Sequence, residues 1–174
     1  MSKEKGLLEP FQAKQVQKGV ISYGVGGYGY DIRLSNQFKR PVGQIELGDP
    51  KTFKEVETES FEADSVLIPP HSLIWGQSIE YFRLPNNVVT VAQGKSTYAR
   101  LGLILNVTPF DPGWEGYPTL SLVNPMSYPI KVYANEGIAQ ILFFESDEAC
   151  AVSYAQKGGK YHKAQGIETS KIKE

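Results

Sequence analysis

Short apolar-rich runs separated by turn residues recur along this chain and set the first expectation about its fold. Residues 65–68, 73–76, 88–92, 103–107, 117–123, 130–133 and 138–144 are each rich in β-formers. Between them stand Pro69-Pro70, Pro85 with Asn86-Asn87, Asp111-Pro112-Gly113, Asn124-Pro125 and Glu136-Gly137. Strand-length runs with turn signals about every 8–12 residues predict an all-β sandwich or barrel. Ile32-Arg33-Leu34 alternates and predicts a further strand. It leaves the segment 20–31 (VISYGVGGYGYD), which holds four glycines and three tyrosines. Each glycine costs a helix about 1 kcal/mol relative to Ala, so this run predicts bulges and tight turns instead.

Helix signals are few. Residues 95–101 (KSTYARL) form the best internal candidate, opened by Ser96 as a potential cap. Residues 9–19 (EPFQAKQVQKG) allow at most a short helix ending at Gly19. Residues 40–62 are polar, with Pro41, Gly43, Gly48 and Pro50, and predict a long surface excursion. The tail 154–174 is polar, with Gly158-Gly159 and little periodicity. The pattern predicts one mostly-β domain over residues 1–174, with an N-terminal arm over 1–19.

Composition sharpens this picture in three places. A length of 174 residues is about one domain and enough for a core without disulfides or metal. Net charge is −1, from 18 Lys and Arg against 19 Asp and Glu. That balance argues against nucleic acid as a partner, since phosphate-backbone binding needs many uncompensated cations. An anionic ligand must therefore be held by a local site. Cys150 is the one cysteine, which excludes an internal disulfide and points to a reducing compartment or to redox indifference. The segment 1–6 is charged and Leu7-Leu8 is too short for a signal peptide. No run of 18 apolar residues suggests a membrane partner. The expected setting is cytoplasmic.

Two familiar chemistries fail on residue count and spacing. A zinc deaminase needs three His or Cys ligands and a glutamate, whereas this chain has His71, His162 and Cys150 and no P-C-x-x-C. Gly24, Gly26 and Gly29 match G-x-G-x-x-G, but Tyr30-Asp31-Ile32-Arg33 follows where that fingerprint needs a helix. More informative is 94–100 (GKSTYAR). A glycine leading into a helical turn, with Lys95 and Ser96 beside it and Arg100 one turn on, suits a phosphate, although an ordinary capped surface turn has the same spacing. Asp111 lies in 106–116 (NVTPFDPGWEG), where it also reads as a turn initiator.

Taken together, five segments resemble the dCTP deaminases, a branch of the trimeric dUTPase superfamily. They are ISYGVGGYGYDIRL (21–34), IEYFRLP (79–85), GKSTYARLGLILNVTPFDPGWEGY (94–117), YANEGIAQILF (133–143) and GGKYHKAQGI (158–167). The block G-[KR]-S-[ST]-x-A-R joined to N-V-T-P-F-[DE]-P carries most of the specificity. The resemblance implies a distorted β-barrel or jelly-roll of the dUTPase type with one or two short helices. It also implies a homotrimer with active sites between subunits, converting dCTP to dUTP and ammonia without zinc.

In that family the triphosphate, carried with Mg²⁺, is held by the block that maps here to Lys95, Ser96, Thr97, Tyr98, Ala99 and Arg100. Ser96 and Arg100 would help place the attacking water. Asp111 and Gln140 fall in matching motifs and would face the nucleotide. The tail would close over it through Tyr154, Lys160, Tyr161 and Gln165.

The chain departs from the family pattern where the base should stand. A glutamate is expected in the strand after F-E-G-[YH], within a motif like I-T-I-E-I-S-N. Here 118–124 reads PTLSLVN, so Ser121 takes that place. A lost general base typically costs 10²–10⁴-fold, about 3–5 kcal/mol of barrier. Glu115, six residues earlier, belongs to a motif the family also carries and is a weak substitute. In the tail, either Ala164 replaces an expected glutamine or Gln165 has shifted register. The expected activity is therefore dCTP deamination weakened at Ser121. The alternatives are a non-catalytic nucleotide-binding paralogue, or a dNTP or dUTP diphosphatase using Asp111.

Overall fold

Strand β3 (Tyr30–Pro41) is the axis of the molecule, and everything that positions the site is built out from it. On one side it pairs antiparallel with β13 (Gly137–Glu145), which pairs in turn with β8 (Val88–Gly94). On the other it pairs with β6 (Ser72–Ser78), followed by β11 (Thr119–Asn124) and β9 (Ile104–Asn106). The sheet order is thus β8-β13-β3-β6-β11-β9, with β2 (Gly24–Val25) and β4 (Thr58–Glu62) also on β3. The edges of this sheet curl towards each other, as in a barrel. A Cβ at Gly94, at the end of β8, would lie 3.3 Å from Leu105 Cβ in β9. Two small sheets complete the fold, β1 (Leu8–Glu9) with β7 (Tyr81–Arg83) and β10 (Glu115–Gly116), and β5 (Ser65–Ile68) with β12 (Ile130–Tyr133). The computed structural model describes residues 6–43, 48–51 and 56–171.

Alternation along β11 decides which side chains reach solvent. Leu120 and Leu122 point into the core at 0% exposure, while Thr119, Ser121 and Val123 face outwards and are half-buried. The inner positions meet Ile74 and Gly76 of β6, and at Gly76 a Cβ would stand 2.7 Å from Leu34 Cδ1. Phe82, fully buried, packs edge-on to Phe110 at 5.2 Å and beside Trp114. This aromatic cluster fixes the Asp111-Pro112-Gly113 turn to the body of the protein. The glycine-rich run forms the hairpin from β2 into β3, and Gly29, at φ +82°, leaves no room for a Cβ beside the Ile141 carbonyl.

Three expectations need correction. Residues 9–19 form no helix. Their backbone bonds elsewhere, Val16 and Tyr23 exchanging N–H···O bonds of 2.9 and 3.0 Å, and Phe11 stacks on Tyr30. The excursion over 40–62 contains regular structure, because β3 runs to Pro41 and β4 returns along it. That ribbon is held by the Arg40–Glu59 ion pair and by Phe61 stacked on Phe38. Charged pairs on an exposed two-stranded ribbon look like loop in composition. Parts of this excursion, 44–47 and 52–55, lie outside the described residues. Finally, helix α1 is the single turn Ser96–Ala99, in which Ser96 is already helical and Lys95 sits at the N-cap with no side-chain capping bond.

Tyr98 in α1 is 3% exposed, and its hydroxyl accepts the Tyr133 N–H at 3.0 Å. Burial pushes its phenol, and that of Tyr30, up to about 12. The fold thus favours the neutral phenols, whose contribution is complete below about pH 10 and is lost as pH rises towards 12. Urea unfolding should show a stability loss of about 2 kcal/mol per tyrosine between pH 9 and 12. Tyr98→Phe should cost about 1 kcal/mol at pH 9 but remove its share of the alkaline loss. An equally steep loss in the variant would refute this assignment.

Candidate functional site

A cavity of about 680 Å³ opens against the outer face of β11. Its floor follows from strand register: Ser121 lies opposite Trp75 of β6 on one side and Asn106 of β9 on the other. Thr119, one pleat away, lines the same cavity. The loop after β9 supplies one wall, including Asp111, which is exposed.

The tail forms the roof, and its path is set by hydrogen bonds to the body. Trp114 Nε1 donates to the Tyr161 carbonyl at 3.0 Å, and the Tyr161 N–H donates to the Tyr154 hydroxyl at 3.1 Å. Gly159 lies directly beneath the Tyr154 ring, where a Cβ would come within 2.0 Å of the ring. Further on, the Tyr117 N–H donates to the Ala164 carbonyl at 3.0 Å. The Glu168 N–H then reaches Thr119 Oγ1 at 2.9 Å, and Lys39 Nζ holds the Ile167 carbonyl at 3.0 Å. Tyr154, Lys160, Tyr161, Ala164 and Glu168 all line the cavity. Lys160 Nζ donates to the Lys171 carbonyl, and the Lys171 N–H bonds the Tyr161 hydroxyl at 3.1 Å.

The other candidate residues gather elsewhere. None of Lys95 to Arg100 lines this cavity. Ser96, Thr97, Ala99 and Arg100 are exposed, and Tyr98 faces the core. Lys95 turns inward: its ammonium bonds Asp31 Oδ2 at 2.7 Å and Ser22 Oγ at 2.9 Å. Gln15 also donates to Asp31 Oδ2, at 3.2 Å, whereas the buried Asp31 Oδ1 has no partner. Gln140 belongs to this group by register, opposite Gln93 and Asp31, and its Nε2 donates to the Tyr28 carbonyl at 3.1 Å. With α1 only four residues long, its dipole adds little. The outward cationic charge of the block comes from Arg100.

Within one chain the candidate residues thus fall into two separate groups. Ser121, Asp111, Tyr154, Lys160 and Tyr161 come together in the cavity, while Lys95 to Arg100 and Gln140 form a separate cradle. Ala164, not Gln165, faces the cavity. Gln165 is exposed and donates to the Lys163 carbonyl at 3.2 Å. Glu115 is committed outside the cavity, to the Tyr81 hydroxyl at 2.9 Å with Arg83 3.9 Å away. The sequence reading missed Trp75, Asn106, Thr119 and Glu168 in the cavity and Asp31 beside the cradle. Thr119 could have been found from its i, i+2 relation to Ser121, whereas nothing local marks Glu168.

The chain is similar to known proteins over nearly its whole length. Residues 1–146 match the family described as dCTP deaminase-like. A dCTP deaminase of Acidobacterium capsulatum is 56% identical over 169 residues, covering 97% of this chain and 92% of its own. One from Gemmatimonas aurantiaca is 50% identical over 173 residues, with coverages of 99% and 94%. One from Chlamydia trachomatis serovar L2 is 53% identical over 174 residues, with coverages of 96% and 92%. Among solved structures, the 2'-deoxycytidine 5'-triphosphate deaminase of Agrobacterium tumefaciens superimposes with a TM-score of 0.63 at 16% identity. That match covers 83% of this chain and 46% of the other. EIAV dUTPase superimposes with a TM-score of 0.50 at 15% identity, over 78% of this chain and 90% of its own. The fold is therefore the distorted, mostly-β barrel of the dUTPase type, and the chain belongs to the dCTP deaminase-like family.

Proposed function

We propose that this chain deaminates dCTP to dUTP and ammonia in the cytoplasm, as a homotrimer whose active sites lie between subunits. The observation that carries the reading is the separation of the cradle from the cavity on one protomer. A nucleotide needs both, and a neighbouring copy in a closed ring can bring its cradle to this cavity. Lys160, Tyr154 and Tyr161 would close on the nucleotide from the tail. Ser96, Thr97 and Arg100 of the neighbour would take the triphosphate. Lys95 acts through Asp31, fixing the start of the α1 turn.

Mg²⁺ suits this arrangement as a companion of the triphosphate. It is commonly held by one or two carboxylates plus phosphate oxygens and waters. Among the described residues no group of three or more ligating side chains is present, and Asp31 Oδ1 is the unpartnered carboxylate oxygen beside the cradle. When bound, the ion would neutralise charge on the triphosphate. Base recognition and water placement fall to the protein's own residues.

Incubation with each dNTP and Mg²⁺, read by chromatography, tests the reading: dCTP should yield dUTP and ammonia, with the pyrophosphate bonds intact. A second reading, a nucleotide-binding paralogue without turnover, is favoured by the Ser121 hydroxyl and Ala164 methyl that line the cavity. It would be supported by dCTP binding at micromolar levels with no product.

A further inference from the structure

We propose that Glu168, from the tail, supplies the water-activating carboxylate at this site. The inference rests on the deaminase reading above. Two carboxylates line the cavity, Asp111 and Glu168. Asp111 sits on the wall loop. Glu168 is carried across the outer face of β11 itself, the face on which Ser121 stands.

Its position is built. The Glu168 N–H is anchored on Thr119 Oγ1 at 2.9 Å, and the carbonyl before it is held by Lys39 Nζ at 3.0 Å. Lys39 pairs with Trp75, which pairs with Ser121, so these three share one row across the sheet. The 167–168 peptide is therefore tied to the sheet at both ends, to Lys39 of β3 and to Thr119 of β11, two residues from Ser121 on the same face. Thr119 and Ser121 are about 7 Å apart along the strand face, a distance that a glutamate side chain anchored at Thr119 can largely span. The carboxylate pairs with Lys171 Nζ, the side chain is 29% exposed, and the residue lines the cavity. Neither Ser121 nor Thr119 offers a base at neutral pH, because an aliphatic hydroxyl needs an activating partner.

The chemistry balances with one carboxylate. Glu168 takes one proton from water as the oxygen bonds C4 of cytosine, and the C4=N3 π pair moves to N3. Glu168 returns that proton to N3. The new hydroxyl's proton passes to the amino nitrogen, and the C4–N bond breaks with its pair leaving on ammonia. C4=O remains. One water is consumed, and nothing is oxidised or reduced.

The test is steady-state kinetics on the full-length protein with dCTP and Mg²⁺. Glu168→Gln should lower kcat at least 100-fold, within the usual range for a general base, while KM and dCTP binding measured by calorimetry stay within about threefold. Ser121→Glu in the Glu168→Gln background should restore at least tenfold of that loss by returning a base to the strand. Wild-type turnover that survives Glu168→Gln overturns this inference alone. So does a loss that appears in KM rather than kcat, or one that Ser121→Glu does not rescue, because either assigns Glu168 to tail closure. No product from the wild-type protein overturns the deaminase reading and this inference with it.

Discussion

Two variants that are each nearly inactive should recover activity when mixed. Arg100→Met removes the outward cation of the cradle, and Lys160→Met removes the ammonium that the tail presents to the cavity. Each should lower kcat/KM by at least 100-fold, the scale for deleting one preorganised charged donor at a reacting centre. Arg100 is exposed and lies outside the cavity that Lys160 lines. In a ring with heterologous contacts, each site takes its cradle from one subunit and its cavity from the next. After equal amounts are unfolded together and refolded, about one site in four draws both faces from undamaged halves. The mixture should therefore show about a quarter of wild-type activity, while either variant refolded alone stays near its background. Were cradle and cavity of one protomer a single site, every site would keep one lesion and mixing would recover nothing. Measured activity that stays at the sum of the unmixed variants would end the interfacial reading.

The same division explains what could be read from the sequence. The β-rich run at 117–123 was legible as a strand, and the structure adds its faces, with Ser121 outside and Leu120 and Leu122 inside. The glycine-rich turn was legible because the positive φ that Gly24 and Gly29 adopt is a local backbone property, whereas the Ile141 carbonyl that also crowds Gly29 was not. Long-range partners were not. Lys95 reads as a phosphate ligand by proximity to Ser96, yet its ion pair is with Asp31, 64 residues away. Glu168 looks like one more charge in a polar tail, and it is brought to the cavity by the Thr119 hydroxyl, 49 residues away, and by Lys39 on the preceding carbonyl. The ribbon of β3 and β4 was hidden for a related reason: its stabilising pairs cross strands, so neither strand alone shows them.

Arg33→Met should cost about 3–5 kcal/mol near pH 8 by leaving a buried carboxylate without its partner. Glu80 has a fully buried side chain, and Arg33 holds it twice, through Nε at 2.8 Å and through its own N–H at 2.9 Å. The guanidinium also covers the Tyr23 ring, 5.0 Å from its centroid. Burial pushes the Glu80 carboxyl above its ordinary value, and the Arg33 bonds and charge oppose that rise. Because the folded value lies above the unfolded one, the fold favours the neutral carboxyl. That contribution is complete below the unfolded value of 4.5 and is lost as pH rises through the folded one. Removing Arg33 raises the folded value further, so the deficit of Arg33→Met relative to wild type must grow from pH 5 to pH 8. Urea unfolding at both values measures it. Glu80→Gln added to Arg33→Met removes the charge but keeps an amide oxygen to accept the residue-33 N–H. The double variant should therefore recover most of the deficit and lose its pH dependence. A deficit that is flat with pH, or that Glu80→Gln leaves untouched, would mean that Arg33 supports the fold by packing on Tyr23 rather than by neutralising Glu80.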